Sequence, residues 1–216
     1  MKRPWHHSNP ELLQRVRDEA GVRYPDLGIF IESDTVYLRG SFPIEHEQEV
    51  LDRYSIEIEL PADWPASAPI LRETGGRIPW VPARHVNPNG VACPLVPEEW
   101  LLSPQRESLL AFLDGPVHNF FLGQSLAEHG ESWPFGERPH GKPGLLQSYG
   151  ELLGTTDELA ILRYLDYLSR REIKGHWDCP CRSGQRLRSC HLAHLQQLRQ
   201  NIPASVAAAA LTALKK

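Results

Sequence analysis

Cys93 stands alone in the run His85-Val86-Asn87-Pro88-Asn89-Gly90-Val91-Ala92-Cys93-Pro94-Leu95, whereas Cys179, Cys181 and Cys190 fall within twelve residues of one another. The two sets call for different chemistry. An isolated thiol just after an Asn-Gly turn suits a nucleophile, because glycine accepts a positive φ without steric cost and the turn can lift the side chain to a surface groove. An ordinary thiol has a pKa near ~8.5, so a small thiolate fraction exists at neutral pH. His85 is the only basic residue in the eight positions before Cys93, and no strongly activated thiolate is expected. The competing reading is a small buried hydrophobe. The three clustered cysteines have a spacing that suits metal binding better than a secreted disulfide framework.

Around these residues the chain alternates between clear and broken patterns. Asn9-Pro10 before Glu11 predicts a helix with Pro at its first position, running to about Gly21 on Leu12, Leu13, Val16 and Ala20. Residues 27–32 and 35–42 are apolar and β-branched, and Ser33-Asp34 between them predicts a hairpin. Tyr54, Ile56, Ile58 and Leu60 alternate with Ser55, Glu57 and Glu59. That period of two predicts a strand with one buried and one wet face, as in an antiparallel sheet covered on one side. A proline-rich break over 61–69 precedes a fourth strand at 70–73. Beyond Cys93 the chain turns helical, with a helix expected from Ser103-Pro104 to Phe112, an interruption at Gly115-Pro116, and a second helix over 117–126. Three prolines and three glycines between Trp133 and Gly144 predict a domain edge. Thr155-Thr156-Asp157-Glu158 is a candidate capping box for a helix to about Arg171. Helices are also expected over 191–201 and after Pro203.

The order helix, strand meander, proline-rich turn, cysteine loop, helices resembles the ubiquitin-conjugating enzymes over about residues 8–126. Trp64-Pro65-Ala66-Ser67-Ala68-Pro69 is similar to their Tyr-Pro-x-x-Pro-Pro turn. His85-Val86-Asn87 is similar to their His-Pro-Asn motif, and Asn89-Gly90-Val91-Ala92-Cys93-Pro94-Leu95 to the segment holding their catalytic cysteine. Trp100 and Ser103-Pro104 match a Trp and Ser-Pro common at the next helix. Val86 replaces the family proline, and the interval from His85 to Cys93 is two residues shorter than usual. The segment 133–141 has no counterpart in the eukaryotic enzymes, and these three departures together resemble the divergent bacterial branch, whose members sit in antiphage operons such as CBASS. The resemblance implies an α+β fold, an antiparallel four-stranded meander flanked by helices, in a catalytic domain over residues 1–144. It implies that Cys93 carries a modifier or protein C-terminus as a thioester and passes it to an acceptor amine. The partners would be a ubiquitin-like modifier or a modified protein such as a cGAS-like nucleotidyltransferase, an activating enzyme and a target protein. Asn87 is the candidate oxyanion donor, or else bonds its own loop. His85 is expected to brace the loop rather than transfer protons. Glu98 and Glu99 could orient the amine, and Glu137 and His140 could close over Cys93. The alternative is an inactive conjugating-type fold that binds without catalysing.

Cys179-Pro180-Cys181 through Cys190-His191, with Gly184 between, resembles the SEC-C motif named for the tail of the SecA motor. The resemblance implies a small helical module over residues 145–216 in which Cys179, Cys181, Cys190 and His191 hold a structural Zn2+, with His176 or His194 as substitutes for His191. Three thiolates and one imidazole fill a tetrahedral zinc shell and leave no open position. In other proteins the module is a docking element. Charge is uneven along the chain. The net charge is −4, but residues 163–216 carry +7 and the remainder −11. A basic segment can meet nucleic acid, an acidic protein or its own body, or can be a solvated helix face. Its arginines do not alternate with exposed aromatics, which ranks nucleic acid low. No apolar run approaches the roughly 20 residues of a membrane helix, and the first residues lack a signal-peptide apolar stretch. The expected location is cytoplasmic.

Overall fold

The computed structural model describes residues 3–47, 49–135 and 141–215. It divides into two compact units, Met1–Glu137 and Arg138–Lys216, each with its own core.

In the first unit α1 (Trp5–Ser8) leads into α2 (Pro10–Arg23). Pro10 costs α2 nothing, since the first-turn N–H groups have no helical partner, and the Asn9 side chain accepts from the Leu12 amide at 3.1 Å. Four strands follow, β1 (Leu27–Glu32), β2 (Thr35–His46), β3 (Glu49–Leu60) and β4 (Ile70–Glu73). They form one antiparallel meander in the order β1-β2-β3-β4. The alternation fixes the register. Val36, Leu38, Phe42 and Ile44 of β2 are buried with Tyr54, Ile56, Ile58 and Leu60 of β3. The opposite face carries a charged ladder in which Arg39 bonds Glu32 and Glu57, and Arg72 reaches Glu59 at 3.1 Å. A one-residue slip would exchange these faces, so the sheet has a single favourable pairing.

The buried face is covered by helices α4 (Leu109–Phe112) and α5 (His118–Glu128), joined by a π-helical turn over Leu113–Val117. Phe121 stacks on Tyr54 with ring centroids 4.6 Å apart, and Tyr24 of the segment after α2 stacks on Phe42 at 4.9 Å. Gly115-Pro116 does not interrupt this run. Pro116 lies inside the π-turn, where the wider ladder accommodates the missing N–H. Nor does a helix begin at Ser103-Pro104. A short α3 spans Pro97–Leu102, residues 104–107 form turns, and α4 starts after Ser108, whose side chain accepts from the Ala111 amide at 3.1 Å.

The second unit comprises α6 (Gly141–Leu153), α7 (Glu158–Ser169), a cysteine-bearing loop with a 3-10 turn at Leu187–Ser189, α8 (Leu192–Asn201) and α9 (Ala204–Leu214). Tyr149, Ile161, Tyr164, Leu165, Leu168, Leu195 and Leu214 are among its buried residues. Asp157, not a threonine, caps α7 by accepting from the Leu159 amide at 3.0 Å. The expected domain edge at 133–144 contains the division between the units, but its last four residues open α6. Among the described residues no helix is long and apolar enough to cross a membrane.

His6 is buried in α1, and neither ring nitrogen has a hydrogen-bond partner among the described residues. Burial, then the neighbouring His7, holds its pKa below the ordinary value, against a smaller opposing pull from Asp34. The unfolded chain therefore takes up a proton at a pH where the folded chain does not. Stability from this site is complete above the ordinary histidine pKa of about 6.5 and drains as pH falls through and below it. Denaturation midpoints measured at several pH values should fall on acidification, and His6→Leu should flatten that slope. An unchanged slope would refute the assignment.

Candidate functional site

The loop that carries Cys93 is a small hairpin docked on the sheet edge. A 3-10 turn at Pro82–Arg84 ends at His85, which is left-handed with φ 51°. The Asn87 amide donates to the Val91 carbonyl and the Gly90 amide to the Asn87 carbonyl, both at 2.9 Å. Gly90 has φ 79°, and a Cβ there would lie 2.9 Å from the Trp80 ring, so this turn requires glycine twice over. The Ala92 amide donates to Leu71 of β4 at 2.9 Å, and the Cys93 amide to the His85 carbonyl at 2.8 Å. Val86 and Ala92, which bridge the hairpin, are buried.

Three predicted residues meet here. Cys93 is exposed. The Asn87 Nδ2 donates to its Sγ at 3.2 Å. His85 holds the Cys93 amide through its carbonyl, while its ring lies tilted against Trp133 with centroids 4.4 Å apart. Although the residue is exposed, neighbouring groups partly desolvate its thiol. That burial pushes the thiol above its ordinary pKa, and the Asn87 hydrogen bond draws part of the shift back. The thiol is therefore mostly protonated at neutral pH. Glu99 is exposed in α3. The Glu98 side chain, Glu137 and His140 lie outside the described residues.

Sequence reasoning missed the residues that seat this loop. Gln124 of α5 is fully buried. Its Oε1 accepts from Arg84 Nε at 2.7 Å, and its Nε2 donates to the Arg84 carbonyl at 2.7 Å. Arg84 also reaches the Gln124 carbonyl at 3.2 Å and lies 3.7 Å from Glu128. The available signal was a primary amide inside an apolar helix, which must find a polar partner when buried.

In the second unit the ligating atoms of Cys179, Cys181, Cys190 and His191 all lie within 4.8 Å of one another. Cys181 Sγ is 3.3 Å from Cys179 Sγ and 3.6 Å from Cys190 Sγ. His191 Nδ1 is 3.2 Å from Cys179 Sγ and 3.1 Å from Cys190 Sγ. A zinc ion with Zn–S bonds of about 2.3 Å would set S–S edges of about 3.8 Å, so these sulfurs would spread slightly to complete the shell. The backbone is shaped for it. Arg182 and Gly184 take positive φ, and the Cys179 amide donates to the Gln185 carbonyl at 2.9 Å. Neither His176 nor His194 belongs to the cluster among the described residues. Four donors and no vacant position suit a structural metal ion.

Neither a family model, nor a curated protein, nor a solved structure matches the chain.

Two expectations follow from this geometry. Asn87→Ala should raise the Cys93 pKa further and slow its alkylation at neutral pH by a few-fold, the scale of one hydrogen bond. Rates are read by mass spectrometry of the Cys93 peptide, and an unchanged rate would remove Asn87 from the site. Metal analysis of the purified chain should return one thiophilic ion per molecule, lost in Cys190→Ser. Retention of a full equivalent would disprove the ligand set.

Proposed function

We propose that the protein is a ubiquitin-conjugating-like enzyme that carries an acyl group on Cys93, with a second unit organised by a structural zinc ion. The observation that carries this reading is an exposed thiol, bonded by the Asn87 amide, on a hairpin fixed to the last strand of a four-stranded meander. The sequence resemblance supplies the reaction class, and the antiparallel sheet with flanking helices is the architecture that resemblance implies.

The reaction needs an acyl donor already activated as a thioester. Cys93 gives up its proton, its sulfur attacks the donor carbonyl, and the donor thiol leaves with a proton. An amine of the target then attacks the Cys93 thioester. The carbonyl electrons move onto oxygen, the C–S bond breaks as the amide forms, and the proton lost by the amine returns to the sulfur. ATP is spent only in making the donor thioester. A mostly protonated thiol is sufficient, because exchange between thioesters is close to balanced and needs no strongly shifted pKa. The Asn87 Nδ2 that now bonds Sγ is within reach of an oxygen developing on a carbon attached there, which is the oxyanion role. Cys179, Cys181, Cys190 and His191 would hold the zinc, whose part is to order the segment between α7 and α8. The second unit would act as a docking element, and location in the cytoplasm and service in antiphage defence belong to the same proposal.

The test is incubation with activating enzyme, ATP and modifier, read on a non-reducing gel. A thiol-sensitive adduct is expected in the wild type, absent in Cys93→Ala, and converted to a thiol-resistant bond in Cys93→Lys. An adduct that persists in Cys93→Ala would place the acyl group elsewhere. A wild-type chain that binds modifier without forming any adduct would favour a non-catalytic binder.

A further inference from the structure

The segment after α5 does more than fill the core. The helix ends at His129, Gly130 turns with φ 82°, and the Glu131 amide donates back to the Leu126 carbonyl at 3.0 Å. This reversal lays Trp133 across the side of α5 at Gly123, where a Cβ would come within 2.5 Å of the indole. The indole packs edge-on to Phe120 at 6.3 Å and to Phe135 at 6.1 Å, and it meets the His85 ring at 4.4 Å with an interplanar angle of 37°. Gly123 and Gln124 are adjacent, so one turn of α5 meets the cysteine loop twice. The bare Gly123 admits the indole that holds His85, and the Gln124 amide holds Arg84.

His85 is the residue that most needs such support. It is a non-glycine residue in the left-handed region, a conformation that side chains disfavour and that persists when its surroundings impose it. Its carbonyl receives the Cys93 amide. If His85 relaxes, the closing bond of the hairpin goes with it, and so does the approach of Asn87 to Sγ.

We propose that Trp133 is a positioning residue for Cys93, acting through its tilted ring contact with His85 from a seat over Gly123 to hold the loop that presents the thiol. This rests on the reading of Cys93 as the acyl carrier, but it can be tested without any partner. A core-filling tryptophan would affect stability alone. A positioning tryptophan must also change how Cys93 titrates. Loosening the loop removes both the burial that raises the thiol pKa and the Asn87 bond that lowers it, and burial is the larger of the two. The net movement is downward, opposite to that expected for Asn87→Ala.

The experiment measures iodoacetamide alkylation of Cys93 in the full chain as a function of pH, by mass spectrometry of the Cys93 peptide, alongside thermal melting. Trp133→Ala should move the profile to lower pH and raise the neutral-pH rate severalfold. Trp133→Phe, which keeps an aromatic face for His85, should stay with the wild type. Gly123→Ala tests the same seat from the helix side, and it carries the experiment if Trp133→Ala does not fold. It improves helix propensity yet drives its new methyl into the indole. It should reproduce the downward movement. Profiles of Trp133→Ala and Gly123→Ala that overlay the wild type, or move upward, would overturn the proposal whatever happens to melting. Failure of the wild type to form any thioester would instead refute the acyl-carrier reading and leave these profiles interpretable.

Discussion

A primary amide with no exposure must have its donors and acceptor met by protein, and Gln124 has Arg84 to meet them. The cysteine loop depends on this constraint. Left unmet, a buried group of this kind costs about 1–3 kcal/mol. The pairing is reciprocal, so it fixes both the side chain and the carbonyl of Arg84. The next residue is His85, and His85 bonds Cys93. A helix packed on the buried face of the sheet thereby dictates where a surface thiol sits. Arg84 is also tied through Glu128 to Arg77, which pairs with Asp52 at 2.5 Å and lies over the Tyr54 ring at 4.3 Å. The loop is anchored to α5, to the start of β3 and to the end of β4, and Cys93 is presented without being part of the core.

The two cysteine sets are physically unlike. Cys93 faces one neutral amide and has its pKa raised by burial, so it is mostly an uncharged thiol at neutral pH. In the second unit burial pushes the Cys179 thiol up, while the Ser183 hydroxyl chiefly draws Cys181 down. Three sulfurs this close cannot all ionise without a cation among them. Tyr164 packs edge-on to His191 at 6.0 Å, and the Tyr167 hydroxyl donates to the Asp178 carbonyl at 3.0 Å, so α7 frames the loop before any ion binds.

How much of this could be read from the chain depends on sequence distance. The period of two in Tyr54–Leu60 marked the second half of β3, which begins at Glu49, and β2 runs past Phe42 to His46, whereas β1 and β4 have the bounds their residues suggested, because strand patterns are local. The turn at Asn89-Gly90 and the spacing of Cys179, Cys181, Cys190 and His191 were legible for the same reason. Helices α1, α3 and α6 were not. Pro143 and the glycines at 141 and 144 read as breakers, yet all lie in the first turn of α6, where a missing N–H costs little. Pro97 plays the same part in α3. The partners of the cysteine loop were least visible. Arg84 and Gln124 are 40 residues apart, and no periodicity links them. Trp133 stood among prolines and glycines that suggest a linker, whereas it packs against the first core. Gly123 within an apolar helix was the one local sign that another group approaches there.

Native-state hydrogen exchange at the Cys93 and Ala92 amides is the most direct measure of whether the loop is held in this way. These amides donate to the His85 and Leu71 carbonyls. A loop locked to helix and sheet predicts that both exchange only when the first unit unfolds globally, with the same opening free energy as the amides of β3. Exchange near the intrinsic rate at Cys93 and Ala92, while β3 stays protected, would show a loose loop and contradict a preformed site.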